Sequence, residues 1–126
     1  RDMSKAIDLY KEAAEEGDPS SMCVLGTYYM NGVQEGDNVL IEENAELANY
    51  YIGKAHQARV PQATYLLGVF NHHGFGMEVN KKQALEHYIT AGSKGYIEGL
   101  YAAALLFNEG DPIAGIPKEE VGTLIY

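Results

Sequence analysis

Tryptophan is absent from this 126-residue chain, cysteine occurs once, proline four times, and only 9 basic residues face 18 acidic ones. Each scarcity removes a class of protein. The lone thiol, Cys23, can close no internal disulfide and can supply no multi-thiolate zinc site, so the fold must rest on packing. A formal net charge of -9 leaves no cluster of Lys and Arg to meet a phosphate backbone, and nucleic acid is not an expected partner. No apolar run approaches the roughly 20 residues that a membrane helix needs, and Arg1 to Met3 open no signal-peptide core. Membrane insertion by this segment is not expected either. With 46% hydrophobic and 21% charged residues, the composition is that of a globular chain long enough for one domain with a core.

What the chain has in excess is glycine, 14 residues, and tyrosine, 10 against three phenylalanines. Glycine inside a helix costs about 1 kcal/mol relative to alanine, so such a count ordinarily marks loops. Here it repeats instead. Windows 17–32 (GDPSSMCVLGTYYMNG), 59–74 (RVPQATYLLGVFNHHG) and 95–110 (GYIEGLYAAALLFNEG) align without a gap, their starts separated by 42 and then 36 residues. Small residues recur at Ser21, Ala63 and Gly99, then at Leu25-Gly26, Leu67-Gly68 and Ala103-Ala104. Large ones follow at Tyr28-Tyr29, Phe70-Asn71 and Leu106-Phe107, and each window closes on Gly32, Gly74 or Gly110. Spacings of three to five residues share one helical face, so each window reads as a helix ended by a glycine that tolerates positive φ.

The intervening stretches match as well. Ala6, Tyr10, Ala13 and Gly17 keep the spacing of Ala84, Tyr88, Ala91 and Gly95, and the middle copy carries Ala48, Ile52, Ala55 and Arg59. Four residues before each first alanine stands Asp2, Asn44 or Asn80, a residue type that caps helix N-termini. The pattern predicts antiparallel helix pairs over 2–16, 19–31, 44–58, 61–73, 80–94, 97–109 and 117–126. The alanine faces permit close approach to a partner helix, which can offset the propensity lost at Gly26 and Gly68. One such pair buries only one face, so neighbours must stack. The segment is expected to belong to a longer solenoid, because Val121, Leu124, Ile125 and Tyr126 would leave an apolar end uncovered.

The motif A-x-x-x-L-G-x-x-Y-x-x-G, a short G-x-G loop, an N-cap, and A-x-x-x-Y-x-x-A-A-x-x-G is similar to Sel1-like repeats. Its best copy is Ala63, Leu67, Gly68, Gly74-Phe75-Gly76-Met77, Asn80, Ala84, Tyr88, Ala91 and Gly95. A second runs through Ala6, Tyr10, Ala13, Ala14, Gly17, Leu25, Gly26, Tyr29 and Gly32. Departures occur at Asn71, Ala103-Ala104, His56 and Arg59, and the loop Val33 to Glu43 is longer than the pattern. The resemblance implies an all-α, right-handed α/α superhelical solenoid, TPR-like, whose first helices line a concave surface. It implies a protein-interaction scaffold or adaptor. The alternatives are a regulatory repeat domain of a larger enzyme or enzyme complex, such as a ubiquitin-ligase adaptor or a kinase or synthase activator, and a bacterial secreted repeat protein.

Catalytic chemistry finds no footing in the sequence. Adjacent His72 and His73 project about 100° apart on a helix and cannot chelate as an i, i+4 pair would, so they read as surface residues whose imidazolium complements the helix C-terminus. His56 and His87 read as packing residues, and Cys23, without a helix N-terminus or basic neighbour, as a small, partly buried thiol. There is no G-x-S-x-G, no H-E-x-x-H and no Gly-rich loop opening a helix. No enzyme activity, metal or cofactor is therefore expected. Glu42-Glu43 and Glu119-Glu120 belong to a solvated acidic face that favours basic partner segments.

The tyrosines divide by register. Tyr10, Tyr29 and Tyr88 occupy packing positions. Tyr65 and Tyr101 are equivalent to each other and to Cys23, and their projection points away from the partner helix, as do Thr27, Val69 and Leu105 and then Asn31, His73 and Glu109. This stripe is expected to face the concave groove and bind a protein or peptide, since aromatic residues with polar tips bury much area at low entropic cost. The competing reading packs it on the next repeat. The long loop Val33 to Glu43 is a second expected contact element.

Overall fold

The computed structural model describes residues 2–109, so the expected helix over 117–126, the apolar residues within it, Glu119-Glu120 and the closing Gly110 lie outside the described residues. Among the described residues the elements are α1 (Met3–Glu15), α2 (Pro19–Asn31), β1 (Val33–Glu35), β2 (Asn38–Ile41), α3 (Ala45–Gln57), α4 (Pro61–His73), α5 (Lys81–Ser93) and α6 (Ile97–Asn108). The described residues fall into two compact units, one up to residue 63 and one from residue 64, the division falling in the first turn of α4.

Helix starts follow from the caps. Asp2, Asn44 and Asn80 accept from the backbone N–H groups of Lys5, Leu47 and Gln83 at 3.1, 3.0 and 3.0 Å. Asp18 caps α2 through Ser21 N–H at 3.0 Å, with Pro19 in the first turn, where its missing donor costs nothing. Helix ends follow from left-handed residues: Gly17 (φ +95°) after α1 and Gly95 (φ +100°) after α5. The equivalent position after α3 holds Arg59 in the same region (φ +69°), the only non-glycine to do so among the described residues.

In the first unit, α2 meets α3 where Gly26 lies against Ile52, close enough that a Cβ at Gly26 would collide with the Ile52 side chain. Ala48, Ile52 and Ala55 are completely buried on the α3 side. Tyr10 of α1 meets Tyr28 of α2 edge-on at 5.9 Å between centroids, and Tyr29 of α2 stacks on Tyr51 of α3 at 5.8 Å. In the second unit, a Cβ at Gly68 would stand 2.7 Å from the Tyr88 ring. Ala84, Leu85 and Tyr88 of α5 close the core with Ala103, Leu106 and Phe107 of α6. Gly99 brings the α6 backbone onto that of α5, against the Tyr88 carbonyl and the Gly92 amide. Glycine's helix penalty is thus spent on close contact, because burying side chains as large as Tyr88 returns about 1.5–3 kcal/mol each.

The stretch expected as a long loop is a β-hairpin. β1 pairs antiparallel with β2, Glu35 opposite Asn38, so Gly36-Asp37 forms a two-residue turn. Gly36 has φ +62° while Asp37 stays negative, the pattern of a type II′ turn, whose twist suits paired strands. Burial rises along β2 from the exposed Val39 to the buried Ile41, two residues apart on the same face, so the base of the hairpin is packed and its tip is exposed. The insertion leaves the helix connection unchanged: Asn44 N–H donates to the Tyr29 carbonyl at 2.8 Å, as Asn80 N–H does to Asn71 at 2.8 Å in the shorter loop of the second unit.

Candidate functional site

The stripe singled out by register does not form one uniform surface. In the second unit it spans the range from core to solvent. Tyr65 on α4 is half buried, its ring 5.6 Å from Tyr88 and 5.2 Å from Tyr96, the N-cap residue of α6. It therefore does not point clear of the partner helix, as a plain helical projection has it: the ring is long enough to lie back over α5. Val69 flanks the same core. Tyr101 on α6 is 68% exposed and Leu105 48% exposed; Ile97, one turn earlier on the same face, is 65% exposed. His73 and Glu109 are both exposed at helix ends, and Glu109 reaches Lys81 at 3.8 Å in a surface ion pair of small energetic weight.

In the first unit the equivalent position is Cys23, 4% exposed, and burial pushes its thiol pKa upward. A thiol held neutral is a poor nucleophile. Thr27 is half buried and its hydroxyl donates to the Cys23 carbonyl at 3.0 Å, while Asn31 is exposed at the end of α2. Together with Ser20, Val24, Tyr28, Val60 and Gln62, Cys23 and Thr27 line an open cleft of about 290 Å³. Projection of α2 alone does not reveal this cleft, because two of its walls, Val60 and Gln62, come from the following window. Aligning Cys23 with Tyr65 and Val60 with Tyr96 reveals it: both aromatic positions of one copy are small in the other.

The histidine pair departs from expectation in one member. His73 is exposed, but His72 is half buried, its Nδ1 sits 3.1 Å from the Tyr88 hydroxyl, and its ring stacks on His73 at 4.4 Å. Burial first, then the neighbouring His73, lowers the His72 pKa from its ordinary value, with Glu109 acting in the opposite sense and Lys81 in the same. His72 packs against Tyr88 and its charged form is disfavoured there, whereas the helix dipole alone would favour it. Tyr88 is buried and its pKa rises for the same desolvation reason, with Tyr65 and Glu109 adding to it. His87 lies 3.3 Å from Gln83 on its own helix. Among the described residues, no group of three His, Cys, Asp or Glu side chains is placed to hold a metal ion, and no helix is long and apolar enough to cross a membrane.

A second aromatic group lies on α3, outside the register of the stripe. Tyr50 packs edge-on against Tyr51 at 5.1 Å and carries Lys54 over its ring at 5.5 Å. Burial, then Tyr29, Tyr50 and Glu15, raise the Tyr51 pKa. The i, i+4 spacing of Tyr50 and Lys54 is the signal that was available for it.

The repeat register, the capped helix pairs and the glycine contacts meet their counterpart among known families: the Sel1 repeat matches residues 1–18, 19–55 and 61–96. This chain belongs to the Sel1 repeat family. Sel1 repeats generally mediate protein–protein interactions and are typically non-enzymatic. The chain is 30% identical over 91 residues to the chitin synthase regulator SKT5 of Saccharomyces cerevisiae, a match covering 72% of this chain and 12% of the yeast protein. Its fold is similar to that of c5321, described as a protective antigen of uropathogenic Escherichia coli with an SLR fold, at a TM-score of 0.76 and 21% identity over 94% of this chain and 25% of the other. A Sel1 repeat protein from Oxalobacter formigenes superimposes with a TM-score of 0.77 and 23% identity, covering 94% of this chain and 32% of that one. The chain thus spans about an eighth of the yeast relative and a quarter to a third of the structural neighbours. The fold class is the all-α solenoid of Sel1-like repeats.

Proposed function

We propose that this chain is a non-enzymatic interaction scaffold whose first-helix stripe takes a partner protein or peptide. In the second unit the contact residues are Tyr65, Val69 and His73 of α4 and Tyr101, Leu105 and Glu109; in the first they are Thr27 and Asn31 of α2. The observation that carries the reading is the row Ile97, Tyr101 and Leu105, three large apolar side chains left exposed at i, i+4 and i+8 on α6. A row of that kind, edged by the exposed Glu98 and Glu109, has the composition of a recognition surface, an apolar centre with a charged rim. The acidic excess of the chain favours basic segments in the partner, with an association that weakens as salt rises. The hairpin tip at Gly36-Asp37 is a second element available for contact.

A photo-crosslinking residue placed at Tyr101 or Leu105 of the intact protein tests the reading in cells. Discrete polypeptide adducts are expected at both positions and not at Leu9, an exposed control residue on α1. Equal or absent labelling at all three would defeat it.

The similarity to a chitin synthase regulator supports a second reading, in which the segment is the regulatory part of a larger protein acting on a synthase. The two differ in what the adducts contain. A synthase subunit among them favours the second, and an assembly without an enzyme favours the first.

A further inference from the structure

The two units place the same repeat positions side by side with opposite fillings. In the second, Tyr65 and Tyr96 bring their rings to 5.2 Å and occupy the space between α4 and the start of α6. In the first, the equivalent residues are Cys23 and Val60, and between them lies the open cleft of about 290 Å³. Of the other wall positions, Tyr28 corresponds to Phe70 and keeps its bulk, whereas Val24 corresponds to the slightly larger Leu66 and Ser20 to Gln62. The two missing aromatic rings are the largest part of the volume difference between the copies.

We propose that this cleft is a receptor for one uncharged aromatic side chain, of phenylalanine or tyrosine, presented by a bound peptide. The proposal rests on the reading of the α2 stripe as a partner-binding face and names what that face selects. Three features fix the occupant. Its size suits one side chain, being at the lower limit of the roughly 300–1,000 Å³ typical of whole-ligand pockets. Its charge must be zero, because no lining residue is charged, although the chain as a whole carries a net charge of -9. Its shape must be flat, because the repeat itself fills the equivalent space with tyrosine rings, and Tyr28 offers a further ring against which an incoming one can lie in an edge or offset geometry. The Ser20 hydroxyl and the Gln62 amide at the rim supply polar groups for a phenol hydroxyl. Cys23 adds a polarizable sulfur, which pairs favourably with aromatic rings.

The probe is 4-methylphenol, the side chain of tyrosine as a free molecule, titrated into the isotopically labelled intact chain and followed by amide chemical shifts. Saturable shifts confined to the neighbourhood of Cys23, Thr27, Val60 and Gln62 are expected. Cys23→Tyr and Val60→Tyr, each of which restores a ring that the other unit already carries, should each weaken binding at least tenfold. Two filling variants are used so that misfolding of one leaves the other to decide. 4-Methylcyclohexanol, similar in bulk but without a flat ring, should bind at least threefold more weakly. No saturable shift at these residues, undiminished binding in the tyrosine variants, or equal binding of the two probes would overturn the proposal. Such a failure would leave the crosslinking result at Tyr101 and Leu105 standing. Saturable probe binding with no crosslinks there would instead count against the scaffold reading alone.

Discussion

The two units solve one packing problem with different residues, and the differences show which repeat positions are structural and which are free. Gly26 and Gly68 are both places where a first helix touches its partner, yet the partner group is the branched aliphatic side chain of Ile52 in one unit and the ring of Tyr88 in the other. After the second helix, Gly95 turns the chain at φ +100° while Arg59 does so at φ +69° against its own Cβ. Cys23 and Val60 border an open cleft where Tyr65 and Tyr96 bring two rings to 5.2 Å. The backbone plan is invariant under these exchanges. Close approach, left-handed turn and cap are required, whereas the positions held by Cys23 and Tyr65, and by Val60 and Tyr96, change size without disturbing the fold.

The widest separation between the units should appear at the helix contacts. Gly68→Ala pushes a methyl group into the Tyr88 ring, 2.7 Å from the added carbon, with the Ala84 carbonyl at 3.2 Å behind it. Overpacking of this kind costs about 1–3 kcal/mol, and the rigid ring places Gly68→Ala at the upper end. Gly26→Ala should cost less, since the Cδ1 end of Ile52 can turn aside about χ2, but not nothing, since Ile52 Cγ1 stands 2.5 Å from the added carbon and moves only with the stiff χ1 of a β-branched residue. Urea denaturation of the two variants decides the order, and equal midpoints would show that the two contacts are equivalent.

Within the second unit, Tyr65→Ala removes a ring packed on Tyr88 and Tyr96 and should destabilise by about 2 kcal/mol, less than the 3–5 of a fully buried aromatic. Tyr101→Ala, at a surface position, should stay within about 0.5 kcal/mol of the parent. Thermal melts monitored by circular dichroism test this pair, and a large loss at Tyr101 would place it in the core. Arg59→Gly should act in the opposite direction. Relief of a left-handed non-glycine residue gains about 1–2 kcal/mol, and the greater unfolded-state freedom of glycine costs about 0.5–1 kcal/mol, so a net gain of up to about 1.5 kcal/mol is expected in the same melts. The smallest effect is one of pH. His72 has a folded pKa below that of the unfolded chain, so the unfolded state takes up its proton first as pH falls. Its contribution is complete above about pH 6.5, the unfolded value, and is lost as pH falls from there toward the lower folded value. His72→Phe should flatten that slope, which a series of denaturation curves between neutral and mildly acidic pH would measure.

Much of this was legible in the chain because repetition removes ambiguity. Asp2, Asn44 and Asn80 mark helix starts by standing four residues before a recurring alanine, and Gly26 and Gly68 mark contacts by recurring where propensity argues against them. The hairpin was less visible, since Val33 and Val39 to Ile41 offer only short runs; Gly36-Asp37 was its signal, and its meaning depends on strands pairing around it. Tyr65 and His72 escaped projection for a different reason. Helical projection gives the direction of Cβ, but the ring of a tyrosine and the nitrogen of a histidine lie several ångströms further on, and tertiary neighbours such as Tyr88 decide where they settle. The cleft at Cys23 needed two such positions together.

Partner affinity of the doubly substituted Tyr101→Ala, Leu105→Ala protein, measured in the intact chain by calorimetry against the polypeptide identified by crosslinking, tests the scaffold account most directly. With each true anchor supplying about 1–3 kcal/mol, affinity should fall at least tenfold while the helical circular dichroism signal stays at the parent level. Unchanged affinity with an unchanged helical signal would contradict the account.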